Sequence, residues 1–206
     1  MEEPMDYHET KYLFSALMTA REWFRLKSQG CPVGNLPQFR DLDATWVDER
    51  AEIGSGTLVF PGCVIMGQTV IGKNCVIFPG ATLLNVEAED NVTIAVPHLK
   101  NCKLGRGASV GALAELNRTE LGKDVKMFHL GYLGDTVVGD RSNIGAGTIT
   151  ANFDGRGKNK TVLGPDTFTG IHSSIIAPNE LPEGTYIAAH SVIPANAKDK
   201  VEGGIP

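Results

Sequence analysis

A chain of 206 residues, 42% of them apolar, can build one domain with its own core, which excludes a disordered protein. Its 24 acidic and 19 basic residues give a net charge of −5, and it has no basic run of nucleic-acid-binding type, so no nucleic-acid partner is expected. No apolar stretch approaches the ~20 residues that span a bilayer, and the acidic start MEEPMDYHET is unlike a signal peptide; the expectation is a cytoplasmic protein without a membrane partner.

Residues 7–29 read as a helix. Asp6 and Glu9 have capping-box spacing, Leu13, Leu17, Ala20 and Phe24 form one apolar stripe, and Gly30 can end the helix. The stripe is expected to cover an open coil end or a neighbouring subunit. Residues 31–46, with Pro32, Gly34 and Pro37, connect it to the rest of the chain, so 1–46 form the first unit.

From residue 47 the chain keeps a beat of six. Aliphatic residues stand at Val47, Ile53, Val59, Ile65, Ile71, Ile77 and Leu83. Four residues after the first six of these come Ala51, Thr57, Cys63, Thr69, Cys75 and Ala81. The beat returns at Leu104, Val110 and Leu116, slips by one to Leu121, Met127 and Leu133, and slips again to Val138 and Ile144. It resumes at Leu163, Thr169, Ile175, Leu181, Ile187 and Ile193. Neither a helix nor a simple strand has this period; a parallel β-helix does, with three hexapeptides per triangular coil of about 18 residues. Aliphatic residues then stack inward and small ones fill the corners, while Pro61-Gly62 and Pro79-Gly80 suit the turns. The repeat leaves the hand of the coil open. It extends over 47–197, and 198–206 are a tail without it. Cys63 and Cys75 fall at inward positions, and none of the four cysteines has CxxC spacing, so packed thiols are expected.

The beat breaks at residues 150–162. A stacked coil has smooth faces, and a loop there supplies a wall for a site. Asn152, Asp154 and Lys158 put polar groups on this arm, and Gly155 and Gly157 allow a tight bend. Just before it, MFHLGYLGDTVVGD places His129 near the end of one face, with Tyr132 three residues on.

The string HLGYLGDTVVGDRSNIGAGTITANFDGRGKNKTVLG closely resembles the acetyltransferase domain of the bifunctional bacterial N-acetylglucosamine-1-phosphate uridyltransferase/glucosamine-1-phosphate acetyltransferase family. That resemblance implies a left-handed β-helix, a homotrimer with sites between subunits, and acetyl-CoA as donor to an amino-sugar phosphate. By the same resemblance His129 is the catalytic base and Glu115 supports it. Tyr132, Asn143 and Asn152 surround the amino sugar and its phosphate, and Lys158 reaches that phosphate. Ala146, Ile171 and Ala189 line the coenzyme path, Ile171 standing where the family often has serine. The residue types suit direct transfer in a ternary complex. A histidine takes the proton of the attacking amine, a carboxylate fixes its tautomer, and a donor such as a backbone N–H or that of Asn152 holds the thioester oxygen. No activated cysteine is required.

The chain departs from the family's pattern where cations are expected. His98 and Lys100 stand near two family arginines, and Asn117 replaces a lysine; Arg118 is adjacent but is expected on the opposite face of its strand. The family's nucleotidyltransferase half has no counterpart in the sequence, so acetyl transfer is expected without sugar-nucleotide formation. His172 and His190, 18 apart, are expected to stack on consecutive coils; three histidines with one close pair in sequence are not found, so no metal is expected. Two other readings are another amino sugar, such as a nucleotide-linked one, as acceptor, and a non-catalytic trimeric scaffold.

Overall fold

A computed structural model describes residues 16–29 and 35–197. They form a left-handed parallel β-helix. Nine short strands, from Gln38–Phe39 to Tyr186–Ile187, stack into one face. The other two faces share a sixteen-stranded sheet, continuous where Thr82–Ala88 and His98–Leu104 run around the corner between them. Asn85 and Asn101 make that bend at φ of 51° and 53°, a conformation asparagine tolerates.

The expected inward positions are the core. Val47, Val59, Ile65, Ile77, Leu83 and Leu116 are fully buried, as are Ala51, Thr57, Cys63, Thr69, Cys75 and Ala81 at the corners. Corner hydroxyls satisfy buried backbone groups: Thr57 Oγ1 donates to the Gly72 carbonyl at 2.7 Å and accepts from the Cys75 N–H at 3.0 Å. The stretch between Leu83 and Leu104, where the sequence shows no beat, is also regular. Ala88, Ile94 and Leu99 point inward there. Successive coils advance by 18 residues at Thr57–Cys75, by 16 at Asn85–Asn101 and by 17 at Lys123–Asp140, because some faces are one residue shorter. The arm raises one advance to 25, between Ser142 and Thr167.

The start of the helix differs from expectation. Leu17–Thr19 is a strand, antiparallel to Trp46–Asp48, and the helix runs from Ala20 to Lys27. Its capping box is Thr19 with Glu22, and the pairing of Leu17 with Asp48 overrides the helical stripe. The helix does cover the first coil. Trp23 is 2% exposed, donates its Nε1–H to the Ala51 carbonyl at 3.2 Å and meets Phe39 edge-on at 5.8 Å. Asp6, Glu9, Leu13, Gly30, Cys31, Pro32, Gly34 and the tail 198–206 lie outside the described residues. Among the described residues, no helix is long and apolar enough to cross a membrane.

Candidate active site

Two outward rows cross the face that carries the strand Gly131–Gly134. His98, Glu115 and Tyr132 pair in register on three successive coils, and Lys100, Asn117 and Gly134 pair beside them. Parallel pairing holds each row at a spacing of roughly 4.8 Å. His98, Glu115, Tyr132 and Lys100, all expected at the site, therefore converge on one surface.

The far end of this face carries a polar network that sequence reasoning missed. Arg118 and Asp135 lie at the corner, with φ of 52° and 49°. The Arg118 guanidinium grips both oxygens of the Asp135 carboxylate, Nη2 reaching Oδ2 at 2.8 Å, and its Nη1 donates to Asn117 Oδ1 at 2.9 Å. Arg118 is therefore not turned to the opposite face, because strand alternation ends where the chain bends. Asp135 Oδ2 also accepts from Asn152 Nδ2, so one N–H of that amide is already engaged. Asn152 is 7% exposed. It and the Tyr132 hydroxyl fill the space beside Gly134, where an added Cβ would lie 2.5 Å from Asn152 Nδ2 and 2.5 Å from the tyrosine oxygen. Arg118, Asp135 and Asn152 are spaced by 17, the local coil length, which is the signal that would have linked them.

Charge follows from these contacts. Hydrogen bonding from Arg118 holds the Asp135 carboxyl below its usual range against the opposing effect of burial, with Asn152 and the Lys158 charge adding to the effect. Burial pushes the Tyr132 hydroxyl up.

The arm is a tight turn rather than an open loop. Phe153 bridges Lys158, and the Asn159 N–H donates to the Asn152 carbonyl at 2.7 Å. Asp154 ties the turn from within: Oδ1 accepts from the N–H groups of Arg156 and Gly157, both at 2.8 Å, and Oδ2 from Asn159 Nδ2 at 3.0 Å. Lys158 is exposed.

At the other end of the face His129 is exposed, between exposed Phe128 and Leu130. The registers of Lys126, Asn143, Phe168 and Tyr186 put His129, Ala146, Ile171 and Ala189 at equivalent corner positions on four successive coils. The expected base and the three expected coenzyme-path residues thus share one ridge. Beside it His172 and His190 stack, with ring centroids 5.3 Å apart and planes at 18°. The structure does not bring all the expected residues together. Asn143 stands on the nine-stranded face between Lys126 and Phe168. Glu115 faces Tyr132 rather than His129, and among the described residues neither Glu115 nor His129 has a side-chain hydrogen bond or ion pair. A concavity of about 620 Å³, lined by Glu87, Lys103, Glu120 and Asp140 among others, contains none of the predicted site residues. Among the described residues no three of His, Cys, Asp and Glu converge as metal ligands.

The chain is similar to known proteins. The bacterial transferase hexapeptide (six repeats) family model matches residues 50–85. Bifunctional protein GlmU of Clostridium botulinum is 33% identical over 185 residues, covering 81% of this chain and 40% of that protein. GlmU of Clostridium novyi is 34% identical over 195 residues, covering 86% of this chain and 43% of that protein. The chain thus spans about two fifths of the length of these relatives. Among solved structures, UDP-N-acetylglucosamine acyltransferase from Campylobacter jejuni has a TM-score of 0.39 at 14% identity, over 77% of this chain and 72% of that one. A mutant perosamine N-acetyltransferase from Caulobacter crescentus, in complex with CoA and GDP-perosamine, has a TM-score of 0.32 at 18% identity, over 81% and 59%.

Proposed function

The chain belongs to the hexapeptide-repeat proteins, as a homologue of the acetyltransferase part of bifunctional GlmU, and we propose that it moves acetyl from acetyl-CoA to the amino group of an amino sugar. Glucosamine-1-phosphate is the first candidate acceptor. The observation that carries this reading is one face with an exposed imidazole at one end, a buried carboxamide at the other, and Glu115 and Tyr132 between them.

In the proposed reaction the amine nitrogen attacks the thioester carbonyl carbon. A C–N bond forms, the C–S bond breaks, and CoA leaves as its thiol. His129 takes the proton that the amine loses and passes it to the departing sulfur. An exposed imidazole can accept the proton at one ring nitrogen and give it back, which suits both halves of this transfer. Glu115 and Tyr132 border the acceptor, and Asn143 adds a polar group from the adjoining face. A backbone N–H is left to hold the thioester oxygen. Ala146, Ile171 and Ala189 line the path of the coenzyme. Lys158, Lys100 and His98 supply charge or hydrogen bonds for an acceptor phosphate.

A homotrimer fits the open surface. Leu113, Phe128 and Leu130 are 74%, 49% and 50% exposed around His129, an apolar patch that a neighbouring chain would cover while completing the site. On this reading residues 1–46 are the N-terminal helix and connector, 47–197 form the acetyltransferase unit with its arm at 150–162, 198–206 are a tail, and the enzyme works in the cytoplasm. A second acceptor class, another amino sugar or a nucleotide-linked one, is favoured by one observation: Asn117 brings no charge, and Arg118 beside it is already paired with Asp135.

The test is CoA-thiol release from acetyl-CoA over a panel of amino sugars and amino-sugar phosphates. His129→Ala should slow the best acceptor by about 10²–10⁴-fold. An unchanged rate removes His129 as base. No release with any acceptor leaves the non-catalytic scaffold.

A further inference from the structure

Asp135 joins an ion pair to the Asn152 carboxamide, at the end of the face that carries Glu115 and Tyr132. Its side chain is 19% exposed and that of Arg118 is 35% exposed, so the pair is partly shielded from water. Both carboxylate oxygens accept from the guanidinium, a fork geometry that fixes the plane of the acid. An ionised carboxylate has no proton to give, so the group of Asn152 that faces it is the nitrogen. Asn152 also hydrogen-bonds the Tyr132 hydroxyl, which lies with the amide nitrogen beside Gly134, so the nitrogen side of the carboxamide is occupied. The carboxamide oxygen, on the other branch of the same planar group, is turned away from Asp135.

We infer that Asp135, clamped by Arg118, is a positioning residue that locks Asn152 so that its carboxamide oxygen, not its N–H, serves the acceptor. The group Asn152 recognises is then a hydrogen-bond donor, an amino or hydroxyl group of the sugar. Without the clamp the amide rotates, and half of its orientations present a donor where an acceptor is needed. This inference rests on the proposed amino-sugar site and assigns its specificity to a pair of residues outside the row that carries His98, Glu115 and Tyr132. Asparagine at 135 keeps the size of the side chain but loses one acceptor and the charge that holds Arg118.

The experiment measures calorimetric binding of glucosamine-1-phosphate and of unphosphorylated glucosamine, together with thiol-release kinetics, for the unaltered protein and for Asp135→Asn. A second variant, Arg118→Lys, keeps the charge and loses the fork. The expected result is a weakening of acceptor binding, and a rise in acceptor KM, of about tenfold in Asp135→Asn. KM for acetyl-CoA should not change, and Arg118→Lys should fall between the two. Equal acceptor binding in all three proteins overturns the inference, as does a parallel loss for acceptor and acetyl-CoA, which marks a merely structural pair. If the unaltered protein binds acceptor without turnover, the acetyltransferase reading fails, while weaker binding to Asp135→Asn still supports the clamp. If it binds no amino sugar at all, both are overturned.

Discussion

Arg118 closes the fork of its guanidinium on both oxygens of Asp135, one coil further along the same corner. The contact sets a pH window for stability. The Asp135 carboxyl is held below its usual value, chiefly by the Arg118 hydrogen bonds. A depressed carboxyl stabilises the fold above its unfolded pKa, about 3.9, and loses that contribution as pH falls through the folded value. The guanidinium is 35% exposed, so the contribution is discounted for solvent screening to about 1 kcal/mol. Asp135→Asn should be less stable by that amount at pH 7 in chemical denaturation. The difference from the unaltered protein should shrink below pH ~4. A difference independent of pH would mean that the charge is not what matters.

Gly134 makes room for the site. A methyl there would sit 2.5 Å from Asn152 Nδ2 and 2.5 Å from the Tyr132 oxygen, so Gly134→Ala should displace both. The expected effect is a loss of about 10–100-fold in kcat/KM for the acceptor, since small misplacements of positioning groups are costly. Gly157→Ala is the control, because an added Cβ there meets nothing within 4 Å. Equal kinetics in the two variants would remove the crowding at Gly134 from the account of the site.

The inward thiols should be inert. Cys63, Cys75 and Cys102 are buried, and burial pushes all three thiols above their ordinary pKa. Their sulfurs lie against carbonyls of the coil, Cys63 Sγ at 3.2 Å from Phe78 O and Cys75 Sγ at 3.2 Å from Glu89 O. Mass spectrometry after maleimide treatment of the native protein at pH 7 should find these three unmodified, with modification appearing on unfolding. Rapid labelling of any of them in an active sample would reopen a covalent route through a thiol.

The period of six is legible in the sequence because an inward aliphatic residue and a small corner residue recur at fixed spacing, so Ile65, Ile77 and Cys75 can be placed without a structure. Ala88 and Ile94 cannot, because shortened faces shift the phase and alanine gives a weak signal. The helix start is hidden because its apolar stripe continues through Leu17, whose strand pairing with Asp48 is a tertiary fact; the Thr19-x-x-Glu22 signal is nonetheless present in the sequence. His129, Tyr132 and Asn152 are legible through their motif. The Arg118–Asp135 contact is not, since a rule of alternating faces fails at a corner with positive φ. The expected pairing of Glu115 with His129 does not appear within one chain, because they stand on different coils and different rows.

Asn117 is where acceptor charge can be tested directly. Its Oδ1 accepts from Arg118 Nη1 at 2.9 Å, and it pairs in register with Lys100 on one side and Gly134 on the other. Asn117→Lys removes that acceptor and adds an ammonium beside a guanidinium whose charge Asp135 already balances, so the repulsive cost is moderate. The new cation stands next to Lys100, and two cations on adjacent coils can share one phosphate. A partly exposed ion pair contributes up to about 1 kcal/mol, which corresponds to a roughly fivefold fall in KM for glucosamine-1-phosphate. Glucosamine without phosphate should show no gain, and the difference should fade in high salt. An equal effect on both sugars, or none on the phosphorylated one, would take position 117 out of acceptor choice and leave phosphate recognition to Lys158 on the arm.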